Sequence, residues 1–480
     1  MSVALERLAA AVIFPGFEGP RAPDWVRRWL ERGLGGVVLF AWNVESRDQL
    51  RSLTAAFRSE REDVLVAIDE EGGDVTRLEA ATGSSYPGNA ALGAVDDVGL
   101  TEQVAAAMAA ELSAVGVNVD LAPVADVNTN PLNPVIGIRS FGADGELAAR
   151  HVAGFVRGLQ GAGVAACAKH FPGHGDTAED SHLELPVVKS VEDAALRPFE
   201  AAIEAGVQAI MTAHIVVREV GEAPATMSRE ILHVLLREEL GYAGLVMTDA
   251  LEMRAISATV GVEEGAVRAV EAGADAVCLG HDLFEDSVQS VSDALVGAVR
   301  SGRLEESRLA EAAARVHRMS QWAAQDRSGD PVSRDVGRAA ARRAVHVVGD
   351  VSPSRPPFVV ELEPEPSMAA GRLLQGPGEW FRAVVPEAES MRLRDGGVDD
   401  VLARANGRQI VVIARDAHRH TWEQTAIEAL VAAGDDTVVV ELGLPYWKPA
   451  GASAYVTTHG AGRVNVEAAA ERLYASTPSR

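Results

Sequence analysis

The densest reactive stretch of this 480-residue chain is KHFPGHGDTAEDSH, residues 169–182. It brings Lys169, His170, His174, Asp176, Glu179, Asp180 and His182 into one segment, where Pro172 and the glycines work against a regular helix. Two chemistries suit this set. His170, His174, Asp176 and His182 are of the kind that ligate zinc or iron in a metal-dependent hydrolase. Alternatively, Asp180 hydrogen-bonds His182, fixes its tautomer and raises its basicity, making a general acid/base that needs no metal. An ordinary charged loop is a poor description of a segment so rich in reactive groups.

Three further segments carry candidates. In AIDEEGGDVTRLE (67–79), Asp69 follows an apolar run and Gly72-Gly73 allow a tight turn close to a ligand. Arg77 of the same segment can clamp a carboxylate or a sugar hydroxyl. Arg139 in VIGIRSFG (135–142) lies between apolar residues and needs a partner if it is buried. Asp249 in LVMTDALEM (245–253) could simply cap a following helix. It could equally be the carboxylate that glycoside hydrolysis places opposite a proton donor.

The elements that must hold these residues follow from the hydrophobic pattern. Near-continuous apolar runs at 11–14, 36–40, 64–68, 117–122, 164–169, 209–213, 245–248 and 275–280 read as parallel strands buried on both faces. Amphipathic helical patterns separate them, at 25–33, 101–116, 147–163, 196–206 and 262–273, many of them ending in glycine. Eight strands alternating with helices predict an α/β fold of the (β/α)₈ TIM-barrel type over residues 1–330, closed by a helix at 306–325. A dinucleotide-binding sheet is disfavoured, because FPGFEG after the first strand is not the glycine fingerprint.

Directly after these strands come Asn43, Asp69, Asp126, Lys169 with His170, His214, Asp249, and His281 with Asp282. Barrel sites are built from strand C-terminal ends, so these side chains are expected to converge on one face. The segment DRSGDPVS (326–333) reads as a linker. Strands at 358–362, 410–414, 437–442 and 453–458, with helices at 421–434 and 466–475, predict a smaller α/β sandwich over residues 331–480. Asp416, His418, Arg419 and His420 in that part read as a solvated loop.

Composition narrows the partners. Hydrophobic residues make up 47% and charged residues 24%, an ordinary globular balance. The net charge of −25 disfavours phosphate backbones and anionic lipid, so neither a nucleic-acid nor a membrane partner is expected. Cys167 and Cys278 lie in separate apolar runs and suit packing rather than a disulfide framework or zinc knuckle. The N-terminal stretch lacks the basic region of a signal peptide and no apolar run approaches a membrane span, so the expected location is cytoplasmic. The only lysines are Lys169, Lys189 and Lys448; all other basic side chains are arginine or histidine.

Taken together, KHFPGHG…DSH, D-x-E-G-G-x-V-x-R, RSFG and TDALEM resemble glycoside hydrolase family 3, in particular its bacterial β-N-acetylglucosaminidases of two-domain form. The motifs cover roughly residues 10 to 285 in family order. The resemblance implies a retaining enzyme with Asp249 as nucleophile, His182 as general acid/base and Asp180 as its dyad partner. It assigns Asp69, Arg77, Arg139, Lys169 and His170 to the terminal sugar, and His214 to the pocket lining. Many members carry a second Asp where this chain has Ala250. The implied substrate is a GlcNAc-containing oligosaccharide or muropeptide, as in cell-wall (peptidoglycan) recycling, with no cofactor and no metal. A phosphorolytic variant using the same residues is an alternative, since a neutral histidine does not repel an incoming phosphate as a carboxylate would.

Overall fold

Burial on both faces is what makes the eight apolar runs strands, and the computed structural model of the chain shows all eight. It describes every residue except 1, 281–283, 326–332, 352–355, 364–374, 395, 434–435 and 475–480. The strands are β1 (Ile13–Pro15), β2 (Gly36–Leu39), β3 (Leu65–Ile68), β4 (Val119–Asp120), β5 (Ala165–Phe171), β6 (Ala209–Thr212), β7 (Leu245–Met247) and β8 (Val277–Leu279). β2 through β7 form one parallel sheet in chain order, β1 pairs parallel with β8, and a Met247–Ala276 bridge links β7 to β8. The fold is therefore α/β: a curled parallel sheet of the (β/α) barrel type, with a separate mixed-sheet domain.

Helices return the chain between strands. Arg47–Glu60 is opened by a capping box in which Ser46 accepts the Gln49 N–H. Asp24–Arg32 stops at Gly33, whose φ of 101° needs a residue without Cβ. Leu65, Ala67, Val119, Leu121, Ala165, Cys167, Ala209, Met211, Leu245 and Met247 fill the inside of the curl, with Val316 and Met319 of helix Glu306–Ala323 packed on the same cluster.

Two compact units divide the chain. The first comprises residues 1–70, 101–136 and 143–332; the second comprises 71–100, 137–142 and 333–480. The second unit has a six-stranded sheet made of β9 (His346–Gly349), β10 (Phe358–Leu362), β11 (Glu389–Leu393), β12 (Ile410–Ala414), β13 (Thr437–Glu441) and β14 (Ala454–Thr457). Their spatial order is β9-β14-β13-β12-β10-β11, parallel throughout except for β9. Apolar clusters cover both faces of this sheet, as in a sandwich. Asp416 departs from the solvated loop expected of it. It is buried, and its carboxylate accepts the Leu444 N–H at 2.9 Å. The expected linker at 326–333 lies, apart from Ser333, outside the described residues.

Candidate active site

Strand alternation selects which residues reach the mouth of the curl. Side chains two apart share a face, and Ala67, Cys167 and Met247 all point inward. Two residues further on stand Asp69, Lys169 and Asp249. The same period that buries the core thus aims one lysine and two carboxylates into a single layer above it. Lys169 is 2% exposed, and its Nζ donates to Asp69 Oδ1 at 2.7 Å. The ammonium and its carboxylate partner hold each other in place at the end of β3 and β5.

Asp126 organises the root of the reactive loop. Fully buried, it accepts the backbone N–H of His174 at 2.6 Å and that of His170 at 3.3 Å. It also accepts His170 Nδ1–H at 2.8 Å. A carboxylate accepts only, so Nδ1 carries the proton. The Lys169–His170 and Phe171–Pro172 peptides are cis in this stretch.

His174 bolts the loop together. Its Nδ1 meets Thr177 Oγ1 at 2.7 Å and its Nε2 meets Ser181 Oγ at 3.0 Å. Burial drives its pKa down to about 4, so it is neutral at physiological pH. Asp176 is exposed and accepts the Thr129 hydroxyl at 3.2 Å. Both nitrogens of His174 are thus engaged within its own loop. Among the described residues no three His, Cys, Asp or Glu side chains are placed to hold a metal ion together. The ligand set considered for a metal-dependent hydrolase therefore does not assemble in this arrangement.

The second expected pairing does form. His182 Nδ1–H donates to Asp180 Oδ1 at 2.7 Å, and the His182 backbone N–H donates to the same oxygen at 2.9 Å. Burial acts to raise the Asp180 pKa, but the bonds and charge of His182 outweigh it and hold the carboxyl below its ordinary value. Asp180 therefore stays ionised and His182 carries its proton on Nδ1, on a side chain 27% exposed.

Three imidazoles act electrostatically on Asp249. Burial acts to raise its pKa, yet His170, His214 and His182, in that order of influence, together with the Ala250 N–H, bring it below the ordinary aspartate value. That N–H donates to Asp249 Oδ1 at 2.8 Å. His214 is fully buried; its Nε2–H donates to the Ala250 carbonyl at 3.1 Å and its Nδ1 meets Thr226 Oγ1 at 2.7 Å. Burial lowers its pKa below that of a free imidazole. The loop carrying Asp249 is tied to the end of β8, where Gly280 N–H donates to Glu252 Oε2 at 2.8 Å. A Cβ at Gly280 would sit 1.4 Å from Glu252 Oε1, so this tie requires glycine.

A carboxylate at a strand end and a carboxylate-supported histidine in one barrel unit suit the two roles of a retaining glycosidase, nucleophile and proton donor. The sequence profile of the glycosyl hydrolase family 3 N-terminal domain matches residues 21–319. The chain belongs to glycosyl hydrolase family 3. Within that family it is 37% identical over 325 residues to a beta-hexosaminidase of Alkalilimnicola ehrlichii, covering 64% of this chain and 92% of that protein. It is also 37% identical over 321 residues to beta-hexosaminidase A of Pseudoalteromonas piscicida, covering 60% of this chain and 53% of that longer protein. The family 3 β-N-acetylglucosaminidase structure from Paenibacillus sp. str. FPU-7 superposes with a TM-score of 0.88 at 34% identity, covering 98% of this chain and 96% of that one.

Of the residues expected at the site, Asp69, Lys169, His170, Asp180, His182, His214 and Asp249 all belong to the barrel unit. Arg77 and Arg139 belong to the other compact unit. There Arg139 finds the partner its burial demands, a bidentate Glu71 at 2.9 and 2.8 Å. Gly72 and Gly73 make the expected tight turn at φ 79° and 63°. Asn43 spends its side chain on backbone, donating to the Phe17 and Gly19 carbonyls and accepting the Phe40 N–H. His281 and Asp282 lie outside the described residues. Asp126 and Thr226 carry orienting bonds that no role was read for in the sequence. Asp126 did stand at a strand end, whereas Thr226 has no sequence signal.

Lys169 offers a direct test of this packing. Lys169→Arg keeps the charge but puts a planar fork where a compact ammonium meets Asp69. Steady-state kinetics should show kcat/KM reduced about a hundredfold, the scale of a small misplacement in a tight site. A near-wild-type kcat/KM would show that the charge alone matters.

Proposed function

We propose that this protein is an exo-acting, retaining β-N-acetylglucosaminidase that releases terminal GlcNAc. The observation that carries this reading is Asp249, placed just beyond β7 with its Oδ1 accepting the Ala250 N–H, in the same barrel unit as the Asp180–His182 dyad. The β-hexosaminidase names of its relatives and the β-N-acetylglucosaminidase of its structural neighbour support it.

In the first step the Asp249 carboxylate attacks the anomeric carbon. The bond to the leaving oxygen breaks as protonated His182 delivers its Nε2 proton to that oxygen. Asp180 stabilises the imidazolium beforehand. In the second step neutral His182 takes a proton from water, the water oxygen attacks the same carbon, and Asp249 departs with retention of configuration. Lys169, Asp69 and His170 hold hydroxyls of the sugar, and His214 lines the pocket.

Muropeptide fragments handled in the cytoplasm are the substrate we favour. The two cysteines, both free and buried, suit a reducing compartment. No helix among the described residues is long and apolar enough to cross a membrane. The test compares aryl β-GlcNAc with aryl β-glucoside, with and without phosphate. Free GlcNAc in both conditions and strong preference for the N-acetyl sugar are expected. GlcNAc-1-phosphate as the product would replace hydrolysis by phosphorolysis, and equal turnover of the glucoside would remove the N-acetyl specificity.

A further inference from the structure

The bonds of His214 run from the end of β6 to the reacting carboxylate. Thr212, Ala213 and His214 follow one another where β6 ends, and Thr226 belongs to the short 3₁₀ turn Ala225–Met227 that folds back on them. The Ala225 N–H donates to the Ile215 carbonyl at 2.7 Å and fixes that turn in place. Thr212, His214 and Thr226 are all fully buried. The Thr226 hydroxyl lies 2.7 Å from His214 Nδ1, 2.8 Å from the Thr212 hydroxyl and 3.0 Å from the Ala213 carbonyl. At the other end of the ring, Nε2 is 3.1 Å from the Ala250 carbonyl, and the N–H of Ala250 donates to Asp249 Oδ1 at 2.8 Å. Thr226, His214, Ala250 and Asp249 are thus linked in one series of hydrogen bonds.

Counting protons shows what the hydroxyl does. A carbonyl only accepts, so Nε2 must carry a proton to meet Ala250. In a neutral imidazole Nδ1 then holds a lone pair. The Thr226 hydroxyl donates to it, and Thr212 donates to Thr226 in turn. In an imidazolium Nδ1–H donates to Thr226 instead, and the threonine turns its own proton to the Ala213 carbonyl. Either way the Nε2–H and its bond to Ala250 are kept. Without the hydroxyl, a neutral His214 has a buried lone pair with no donor, which is a costly state. The Ala250 bond would then hold the tautomer unaided.

We infer that Thr226 is a positioning residue for the nucleophile: it locks the His214 tautomer and so fixes the peptide that carries Asp249. The inference rests on the retaining-glycosidase reading and extends it to a residue that acts through two others. From β8, the loop of Asp249 is pinned by the bond from Leu251 N–H to the Cys278 carbonyl at 3.0 Å and by the Gly280–Glu252 bond. His214 pins it from β6. A carboxylate tied from both sides keeps one distance to the anomeric carbon, and a shift of about 1 Å costs on the order of a hundredfold in rate.

The test compares wild type with Thr226→Val, which keeps the shape and removes the hydroxyl, and Thr226→Ser, which keeps the hydroxyl. On aryl β-GlcNAc, Thr226→Val should lower kcat about tenfold and leave KM within about twofold, the pattern of a group that serves the transition state and not binding. Thr226→Ser should recover most of the loss. Nitrogen-15 spectra of labelled histidine, with the His214 signals assigned by their absence in His214→Asn, give a second readout. They should show Nε2 protonated in wild type and Thr226→Ser, and a tautomer mixture in Thr226→Val. Thr226→Ala takes the place of Thr226→Val if the valine variant does not fold. A wild-type kcat in Thr226→Val, an equal loss in Thr226→Ser, or a tautomer that ignores the substitution would overturn the positioning role. A wild type inert toward the glycoside would overturn the enzyme reading, while the spectra would still decide whether Thr226 sets the His214 tautomer.

Discussion

Asp249→Ala should lower kcat/KM on aryl β-GlcNAc by about a thousandfold or more, because the covalent intermediate loses the group that forms it. The geometry makes the effect specific. The carboxylate sits where β7 alternation aims it, and against the effect of burial the charges of His170, His214 and His182 and the Ala250 N–H lower its pKa. Azide should restore part of the turnover in the variant. It would enter the vacated face and yield a glycosyl azide of the configuration opposite to the wild-type product. The pH profile gives a second reading of the same group. An ionised nucleophile is lost as pH falls through its pKa, and here that pKa is lowered. The acid limb of wild-type kcat/KM should therefore lie below the ordinary aspartate value of about 3.9. Activity in Asp249→Ala equal to wild type would remove the assignment outright.

How much of this was legible before the structure depends on where each residue's partners lie. Parallel strands buried on both faces leave continuous apolar runs, so β1 to β8 and the inner strands β10, β12, β13 and β14 could be read directly. The edge strands β9 and β11 could not. His346–Gly349 is short and largely exposed, and Glu389–Leu393 mixes charged with apolar residues, so neither makes a buried run. The mouth layer was legible because Asp69, Lys169 and Asp249 inherit the period of the core beneath them. The orienting bonds were not. Arg139 announced that it needed a partner, but Glu71 lies 68 residues away and no local pattern connects them. His174 looked like a ligand from composition alone. Its actual partners, Thr177 and Ser181, are hydroxyls within a loop whose irregular path hides every spacing rule.

His182→Ala should show its largest loss where the leaving group most needs a proton. On a sugar leaving group, removing a positioned general acid should cost about 10²- to 10⁴-fold in kcat/KM. On a dinitrophenyl glycoside, whose phenolate departs unaided, the first step should be nearly spared, and a burst of phenolate should reveal the stalled second step in which His182 must activate water. Asp180→Asn separates orientation from charge. Asparagine can still meet His182 Nδ1, yet it cannot stabilise the imidazolium as the ionised carboxyl does. The coupling that depresses the Asp180 pKa strengthens the hold of His182 on its proton by the same interaction. Without the carboxylate, the basic limb of kcat/KM should move to lower pH while KM changes little. A uniform loss for every leaving group in His182→Ala, with no movement of the pH limb in Asp180→Asn, would mean that the pair only shapes the loop and that the proton comes from elsewhere.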